Sequence, residues 1–294
     1  MRARGEAGAP TRHAGLRAVV RCLLVAAAVT SCGSAEGVKT AGDGESSSLV
    51  AHARSGAQSA AARALHLPQM QLARVLATGA SGGTMVQVRV RFAGGLPTDT
   101  AIDPQHLHPT CGATLRDTLV AHRGDAVIGA LLWVEGDVPV LPDPATTERR
   151  PIVRLERCHL QPRMQLAAPG STVQLLMADD RTDSLIVVPT AAGARVDTIS
   201  FITNGQLVPL AREIRPGVIA IQATMTPWAR AFVAIAPAGT TAISDADGQA
   251  SFVFARQGRK ATIHAWHPVL GVASATIAPS TLDNGSVVTL SFRR

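Results

Sequence analysis

The stretch Gly217-Val-Ile-Ala-Ile-Gln-Ala-Thr-Met-Thr-Pro-Trp-Ala-Arg-Ala-Phe-Val233 is the most informative part of the chain for the fold. Two apolar runs, Val218–Gln222 and Ala231–Ile235, flank a connection that contains Pro227 and Trp228. Short apolar runs bounded by Gly and Pro are typical of buried β-strands. The stretch therefore predicts two consecutive strands joined by a loop.

The same pattern continues in both directions along the chain. Met85–Phe92 alternates Val and Phe with Gln and Arg, which is the period of a half-buried strand. Clusters of Gly, Pro, Asn and Asp separate further short apolar runs at Ala126–Val134, Thr172–Met177, Leu185–Val188, Thr198–Ile202, Thr241–Ser244, Ala250–Ala255, Ala261–Trp266, Val272–Ile277 and Val287–Phe292. Long helical periods are absent from the sequence. We predict an all-β protein built from sandwiches.

The N-terminal residues predict export. Five arginines precede the apolar run Cys22–Val29, which is too short to span a bilayer. The next residues, Thr30-Ser31-Cys32, resemble the lipobox of bacterial lipoproteins, so we expect residues 1–31 to be a signal peptide and Cys32 to carry the lipid. The alternative is an ordinary cleavable signal. Gly33 in place of Asp favours, by the same resemblance, the outer membrane of a bacterial cell envelope.

The positive charge does not predict a nucleic-acid partner. The formal net charge is +7, but residues 1–31 carry five arginines against one glutamate, which leaves +3 for residues 32–294. The remaining charges are scattered rather than clustered. Electrostatic capture of a polyanion has little support from this pattern, so we expect no nucleic-acid partner.

Residues 32–82 are predicted to be a tether. Most of this segment is rich in Ala, Gly and Ser and has no steady apolar period, so it would bury little surface. Alanines and leucines favour a helix between Ala57 and Ala77, although Pro68 should break or bound it. We interpret the segment as a spacer that lifts the following domain from the membrane.

Two cysteines remain after the signal peptide and the lipidated residue are set aside. Cys111 and Cys158 lie in a chain predicted to reach an oxidising compartment, where thiols pair readily. We expect a disulfide between them. The alternative is two buried thiols.

The connection in the opening stretch resembles the copper-binding loop of cupredoxins of the methylamine-utilisation-protein type, whose pattern is Cys-x-x-His-Pro-Trp-Met. Pro227 and Trp228 match it. Ala223, Thr226 and Ala229 stand where the resemblance places the thiolate, the imidazole and the thioether. None of these three side chains ligates a soft transition metal. The resemblance implies the family's fold without its copper, and we expect no cofactor.

Other features follow the order found in the same family. They run from Phe92-Ala-Gly-Gly-Leu-Pro97 to Pro169-Gly-Ser-Thr-Val173. The family supplies a further ligand from Asn-Asp before a His-x-x-His element, whereas Ala178–Leu185 contains no histidine. The resemblance implies a degenerate cupredoxin-like β-sandwich over residues 83–238.

The C-terminal residues resemble a second family. Ser244-Asp-Ala-Asp-Gly248, Phe252, Gly258 and Trp266-His267 are similar to the pattern of transthyretin-type, carboxypeptidase regulatory-like domains. The resemblance implies a small β-sandwich over residues 239–294 that follows the first one.

Two other interpretations remain open. His106, His108 and Cys111 lie within one short loop and would form a zinc or copper site if Cys111 were free, which would make the protein a metal carrier or an electron-transfer protein. Small sandwiches also bind carbohydrates, but that function relies on exposed aromatic faces. The chain has no Tyr and three Trp, each in a strand or at a strand edge.

The predicted function is therefore that of a non-enzymatic, lipid-anchored binding or structural module of the cell envelope. No catalytic residues are predicted, because none of the catalytic motifs has the structural context it needs. The expected partners are the membrane, through the anchor, and an envelope protein or glycan that the sequence does not identify.

Overall fold

The computed structural model of the 294-residue chain describes residues 67–73, 75, 83–102, 109–112, 115–136, 140–141, 150–189, 196–201, 203–210, 216–255, 260–278 and 287–293. All of these residues belong to one compact unit, Ser48–Arg294. The predicted signal peptide, Cys32, His106 and His108 lie outside the described residues.

The described residues form an all-β protein, as predicted, and they contain no helix long and apolar enough to cross a membrane. A single 3₁₀ turn, Pro109–Cys111, is described. The strands are β1 (Gly83–Ala93), β2 (Thr100–Ala101), β3 (Arg116–Asp117), β4 (His122–Arg123), β5 (Ala126–Val127), β6 (Leu131–Glu135), β7 (Ile152–Glu156), β8 (His159–Gln161), β9 (Met164–Ala167), β10 (Gln174–Met177), β11 (Asp183–Pro189), β12 (Asp197–Phe201), β13 (Leu207–Pro209), β14 (Gly217–Ala223), β15 (Arg230–Ile235), β16 (Thr241–Ile243), β17 (Gln249–Ala255), β18 (Ala261–His267), β19 (Gly271–Ile277) and β20 (Val287–Arg293).

The strands form four larger sheets, with β2 and β3 pairing separately. Sheet I has the order β17-β1-β5-β4, with β20 parallel to β1. Sheet II has the order β16-β6-β18-β19, and sheet III has the order β12-β11-β14-β15-β9. Sheet IV has the order β13-β10-β7-β8. Most neighbouring pairs are antiparallel, and β7–β10 and β9–β15 are parallel.

Sheets I and II pack face to face around one core. The alternation in β1 buries Val86, Val88 and Val90 while the intervening polar residues face outward. These valines meet Leu132 from β6 and Ile263 from β18. Period-two patterning thus produces the first sandwich.

Sheets III and IV pack around a second core. Val153 and Leu155 of β7 and Leu175 of β10 face Ile221 of β14 and Val233 of β15. This is the second sandwich, and it contains the two strands quoted from the opening stretch of the sequence.

A third apolar cluster joins sheet II to sheet III. Trp266 of β18 and Phe232 of β15 meet edge to face with ring centroids 5.2 Å apart, and both are at most 1% exposed. Leu131 and Trp133 of β6 complete the sheet II side. Because both faces of sheets II and III are covered, the described strands stack as four layers in the order I, II, III, IV.

The strand pairing differs from the sequential division predicted at residue 238. Strands β1 and β6 precede the second sandwich in the chain, yet they pair with β16, β17, β18 and β20, which follow it. The first sandwich is therefore assembled from both ends of the described chain, and residues 152–235 are inserted within it. The apolar pattern of a segment predicts a strand but does not predict which other strand pairs with it. The sequence pattern alone therefore suggested two sandwiches that follow one another along the chain.

Part of the predicted tether packs against the sandwiches. The backbone N–H of Ala73 donates to the carbonyl of Val134 at 2.8 Å, and Leu67, Met70 and Leu72 pack against the cluster between sheets II and III. The prediction that residues 32–82 bury little surface is wrong for residues 67–73.

Candidate functional site

The loop between β14 and β15 is closed by its own backbone. The N–H of Ala223 donates to the carbonyl of Ala229 at 3.0 Å, and the N–H of Ala229 donates to the carbonyl of Thr226 at 2.8 Å. Ala223 and Ala229 are buried in the core of the second sandwich. The positions that the sequence resemblance matched to a thiolate and a thioether therefore contribute methyl groups to apolar packing.

Thr226, the position matched to an imidazole, contacts a buried guanidinium. Nη2 of Arg181 donates to Oγ1 of Thr226 at 3.0 Å. Both residues are enclosed, since Thr226 is 1% exposed and the side chain of Arg181 is 5% exposed. An internal cation thus lies beside the loop.

Two carboxylates flank this cation. Nη2 of Arg181 is 2.9 Å from Oδ2 of Asp183, and Nε of Arg181 is 3.5 Å from Oδ2 of Asp179. The side chain of Asp183 is fully enclosed and that of Asp179 is 5% exposed. We call Asp179, Arg181, Asp183 and Thr226 the Arg181 cluster.

Each carboxylate also holds a neighbouring loop. Oδ1 of Asp183 accepts from Oγ1 of Thr224 at 3.0 Å and from the backbone N–H of Met225 at 3.1 Å. Asp179 accepts the backbone N–H groups of Arg157 and Cys158. The cluster therefore ties the connection before β11 both to the β14–β15 loop and to the β7–β8 turn.

The β7–β8 turn needs this support. Arg157 and Cys158 have φ values of 49° and 62°, a left-handed conformation that non-glycine residues adopt at a cost. Cys158 is joined by a disulfide to Cys111, with Cα atoms 5.2 Å apart. The indole N–H of Trp228 donates to the carbonyl of Cys158 at 3.1 Å. One turn thus connects the disulfide, the Arg181 cluster and the Pro-Trp loop.

The cluster contains no set of metal ligands. The guanidinium of Arg181 offers hydrogen-bond donors and no acceptor, so it cannot ligate a metal. Among the residues that the structure describes, no three His, Cys, Asp or Glu side chains are grouped to hold a metal ion. The Cys111 sulfur, needed as a free thiol in the alternative loop site, is engaged in the disulfide.

Comparisons with known proteins give only partial likenesses. No protein-family model and no curated protein matches the sequence. Among solved structures, a copper-containing nitrite reductase from Thermus scotoductus matches at 14% identity and a TM-score of 0.26, over 30% of this chain and 22% of that one. Amicyanin from Paracoccus versutus matches at 14% identity and 0.23, over 32% and 85%. A purple cupredoxin from Nitrosopumilus maritimus matches at 13% identity and 0.24, over 29% and 99%. The strand pairing, and not these partial alignments, defines the fold of this chain.

The two histidines of β18 belong to different surroundings. His264 stacks on Trp133 with centroids 4.8 Å apart, and its ring nitrogens lie 2.7 Å from Oγ of Ser274 and 2.8 Å from Oε2 of Glu135. His267 is 4% exposed and accepts the backbone N–H of Val269 at Nδ1. The two do not form a shared site.

His267 should make stability depend on pH. Burial, and to a smaller extent the positive charge of Arg163, lowers the pKa of His267 from 6.5 to about 4. Between these values the unfolded chain binds a proton that the folded chain does not, so stability falls as pH decreases through this window. We expect a loss of about 2–3 kcal/mol between pH 7 and about pH 4.5 from this group.

Urea unfolding at the two pH values checks this prediction, with His267→Gln as the test variant. His267→Gln should lose that part of the pH dependence, whereas replacing the exposed His122 with Gln should keep it. An equal pH dependence in wild type and His267→Gln would contradict the prediction.

Sequence reasoning located the loop but missed the cation beside it. The signal was present, because Asp179, Arg181 and Asp183 alternate at period two and therefore project to one side of an extended chain. Arg163 was missed as well, since it carries no motif.

Proposed function

We propose that sheets III and IV form a cupredoxin-like sandwich in which the Arg181 cluster has replaced a metal centre. We further propose that the protein is a non-enzymatic, lipid-anchored module of the bacterial cell envelope with a structural or binding role. The contact between Arg181 and Thr226 is the single observation that carries the first of these two proposals. It supports a fixed internal cation next to Thr226, the position that the sequence resemblance matched to a copper ligand.

The physical argument is one of charge compensation. A cupredoxin-type centre concentrates donors around a metal cation, whereas this region concentrates two carboxylates and a hydroxyl around a guanidinium. The guanidinium belongs to the chain and cannot dissociate. A module built in this way keeps its loops in place without depending on metal supply.

Metal content tests the proposal. Protein purified from its native envelope should contain far less than one copper or zinc per chain by mass spectrometry. Addition of Cu(II) should produce no thiolate charge-transfer band, because no free thiol lies in the loop. Stoichiometric copper together with such a band would contradict the proposal.

A restored ligand set provides the matched control. Replacing Ala223 with Cys, Thr226 with His, Ala229 with Met and Arg181 with His supplies a thiolate, two imidazoles and a thioether. If the sandwich of sheets III and IV is cupredoxin-like, this variant should bind copper. It should then develop the thiolate charge-transfer band that wild type lacks. A folded variant that binds no copper would refute the cupredoxin-like frame.

The lipid anchor is tested separately. Replacing Cys32 with Ser should move the protein from the membrane fraction to the soluble periplasmic fraction and abolish incorporation of labelled palmitate. Cys22→Ser is the control, since Cys22 lies within the predicted signal peptide and should leave the mature protein unchanged. Unaltered membrane association of Cys32→Ser would contradict lipidation.

The second candidate function, glycan binding, has less support. Trp133 is 3% exposed and Trp266 is fully buried, so neither offers a free ring face to a sugar. Trp228 is half-buried and donates its N–H to Cys158. The metal-carrier alternative would need His106 and His108, which lie outside the described residues, to act without a thiol from Cys111.

A further inference from the structure

A cleft of about 320 Å³ opens at the edge of the junction between sheets II and III. Most of its wall is apolar and comes from Ile128, Met164, Phe232, Ile243 and Pro268. Clefts of this size with a few convergent polar groups are the usual form of small-molecule sites. The cleft shares no lining residue with the Arg181 cluster.

Arg163 gives the cleft a positive charge that is incompletely neutralised. Its Nη1 donates to the carbonyl of Thr118, and its Nη2 is 3.8 Å from Oδ1 of Asp117, a long ion-pair distance. Its Nε is buried and has no hydrogen-bond partner among the described residues. Burial lowers the pKa of Arg163, the negative charges of Asp117 and Asp99 only partly offset this lowering, and the positive charge of Arg230 adds to it. The guanidinium would therefore gain from an additional anion.

His267 adds a neutral donor to the same cleft. Because Nδ1 accepts the N–H of Val269, the neutral ring carries its proton on Nε2. A neutral N–H donor and a guanidinium together match a carboxylate, which accepts hydrogen bonds at both oxygens.

The remaining polar lining residues are already engaged. Oγ of Ser244 donates to the carbonyl of Val127 and accepts the N–H of Ala130, both at 2.8 Å. Oδ1 of Asp245 accepts the N–H groups of Asp247 and Gln249 in the hairpin turn. The negative charge of Asp245 disfavours a dianion, so a carboxylate suits the cleft better than a phosphate monoester.

We propose that this cleft binds a small organic carboxylate with an apolar body. The carboxylate lies against Arg163 and His267, and the apolar body lies along Met164, Phe232 and Ile243. This inference extends the proposed binding role, and it does not depend on the metal content or the lipid anchor of the protein.

Titration with hexanoate and hexanol tests the charge preference. The two probes have similar apolar bodies and differ in the carboxylate. Isothermal calorimetry on the folded soluble chain should show hexanoate binding at least about tenfold more tightly than hexanol, the effect of a charge-assisted hydrogen bond. Equal affinity for the two probes, or no binding of either, would overturn the proposal.

Variants then locate the site. Arg163→Gln should bind hexanoate and hexanol with about equal affinity. Arg163→Lys should retain part of the preference for hexanoate. Arg123→Gln, which removes an exposed cation paired with Asp247, is the matched control and should leave the preference unchanged. An unaltered preference in folded Arg163→Gln would overturn the assignment.

A measurement on the wild-type protein covers the case in which Arg163→Gln does not fold. Hexanoate should shift the methyl resonances of Met164 and Ile243 in a saturable way, because both line the cleft. The exposed methyl of Met225, in the β14–β15 loop, should not shift. Saturable shifts confined to other parts of the protein would overturn the proposal.

Discussion

Replacing Arg181 with Ala should lower the free energy of unfolding by about 3–5 kcal/mol, because it leaves two carboxylates buried without their cation. Asp183 is fully enclosed and Asp179 is 5% exposed, so water cannot easily replace the guanidinium. Urea unfolding followed by far-UV circular dichroism measures this loss. A loss below about 1 kcal/mol, the range of an exposed ion pair, would contradict the prediction.

The loss of stability in Arg181→Ala arises mainly because the carboxylates of Asp179 and Asp183 stay buried without a counter-ion. The strength of the ion pair itself contributes less. Nε of Arg181 and Oδ2 of Asp183 are buried without a directed hydrogen bond among the described residues, so the ion pair gains less than ideal geometry would give. Buried pairs of this kind contribute little net stability relative to apolar residues. We therefore expect Arg181→Met combined with Asp183→Asn to recover much of the loss caused by Arg181→Ala.

An exposed ion pair supplies the control for Arg181. Arg123 lies 2.7 Å from Asp247, with side chains 71% and 57% exposed. Arg123→Ala should change stability by less than about 1 kcal/mol, since solvent screens the pair. Similar losses for Arg123→Ala and Arg181→Ala would mean that burial does not determine the cost.

The sequence predicts individual strands well, both where one face of a strand is buried and where both faces are. Met85–Phe92 alternates strictly, and the structure extends it to β1. The runs Val218–Gln222 and Ala231–Ile235 are apolar without alternation because β14 and β15 belong to sheet III, which is covered on both faces. Both patterns follow directly from burial.

Some strand boundaries depend on backbone geometry, which the apolar sequence pattern does not predict. The predicted run Ala126–Val134 is divided into β5 and β6, which belong to sheets I and II, and Gly129 between them has a φ of 74°. Strand β7, Ile152–Glu156, has the buried-exposed alternation of a strand, yet it was not predicted. It is only five residues long, so the period had little length in which to emerge.

The assembly of the sandwiches could not be predicted from local patterns. β1 pairs with β17 and β20, more than 150 residues later in the chain, and no motif specifies those partners. The Arg181 cluster raises the same difficulty, because its members come from the connection before β11, from the first residue of β11 and from the loop after β14. Resemblance located the loop, whereas only the structure locates the cation.

Removing the disulfide should have an effect similar in size to that of Arg181→Ala. Cys111 and Cys158 are separated by 47 positions, and releasing a loop of that length costs about 4 kcal/mol on the chain-entropy account. The double variant Cys111→Ser, Cys158→Ser should unfold at correspondingly lower urea. Wild type under reducing conditions should behave like the double variant, and the double variant itself should not respond to the reductant.

The stability losses caused by Arg181→Ala and by removal of the disulfide should also be coupled. Asp179 accepts the backbone N–H of Cys158, so the disulfide and the Arg181 cluster hold the same left-handed turn. Losses at sites that share a structural element do not add, whereas independent losses add to within about 0.5 kcal/mol. A double-mutant cycle between Arg181→Ala and the cysteine pair measures this coupling. Strict additivity would show that the disulfide and the cluster stabilise separate parts of the second sandwich.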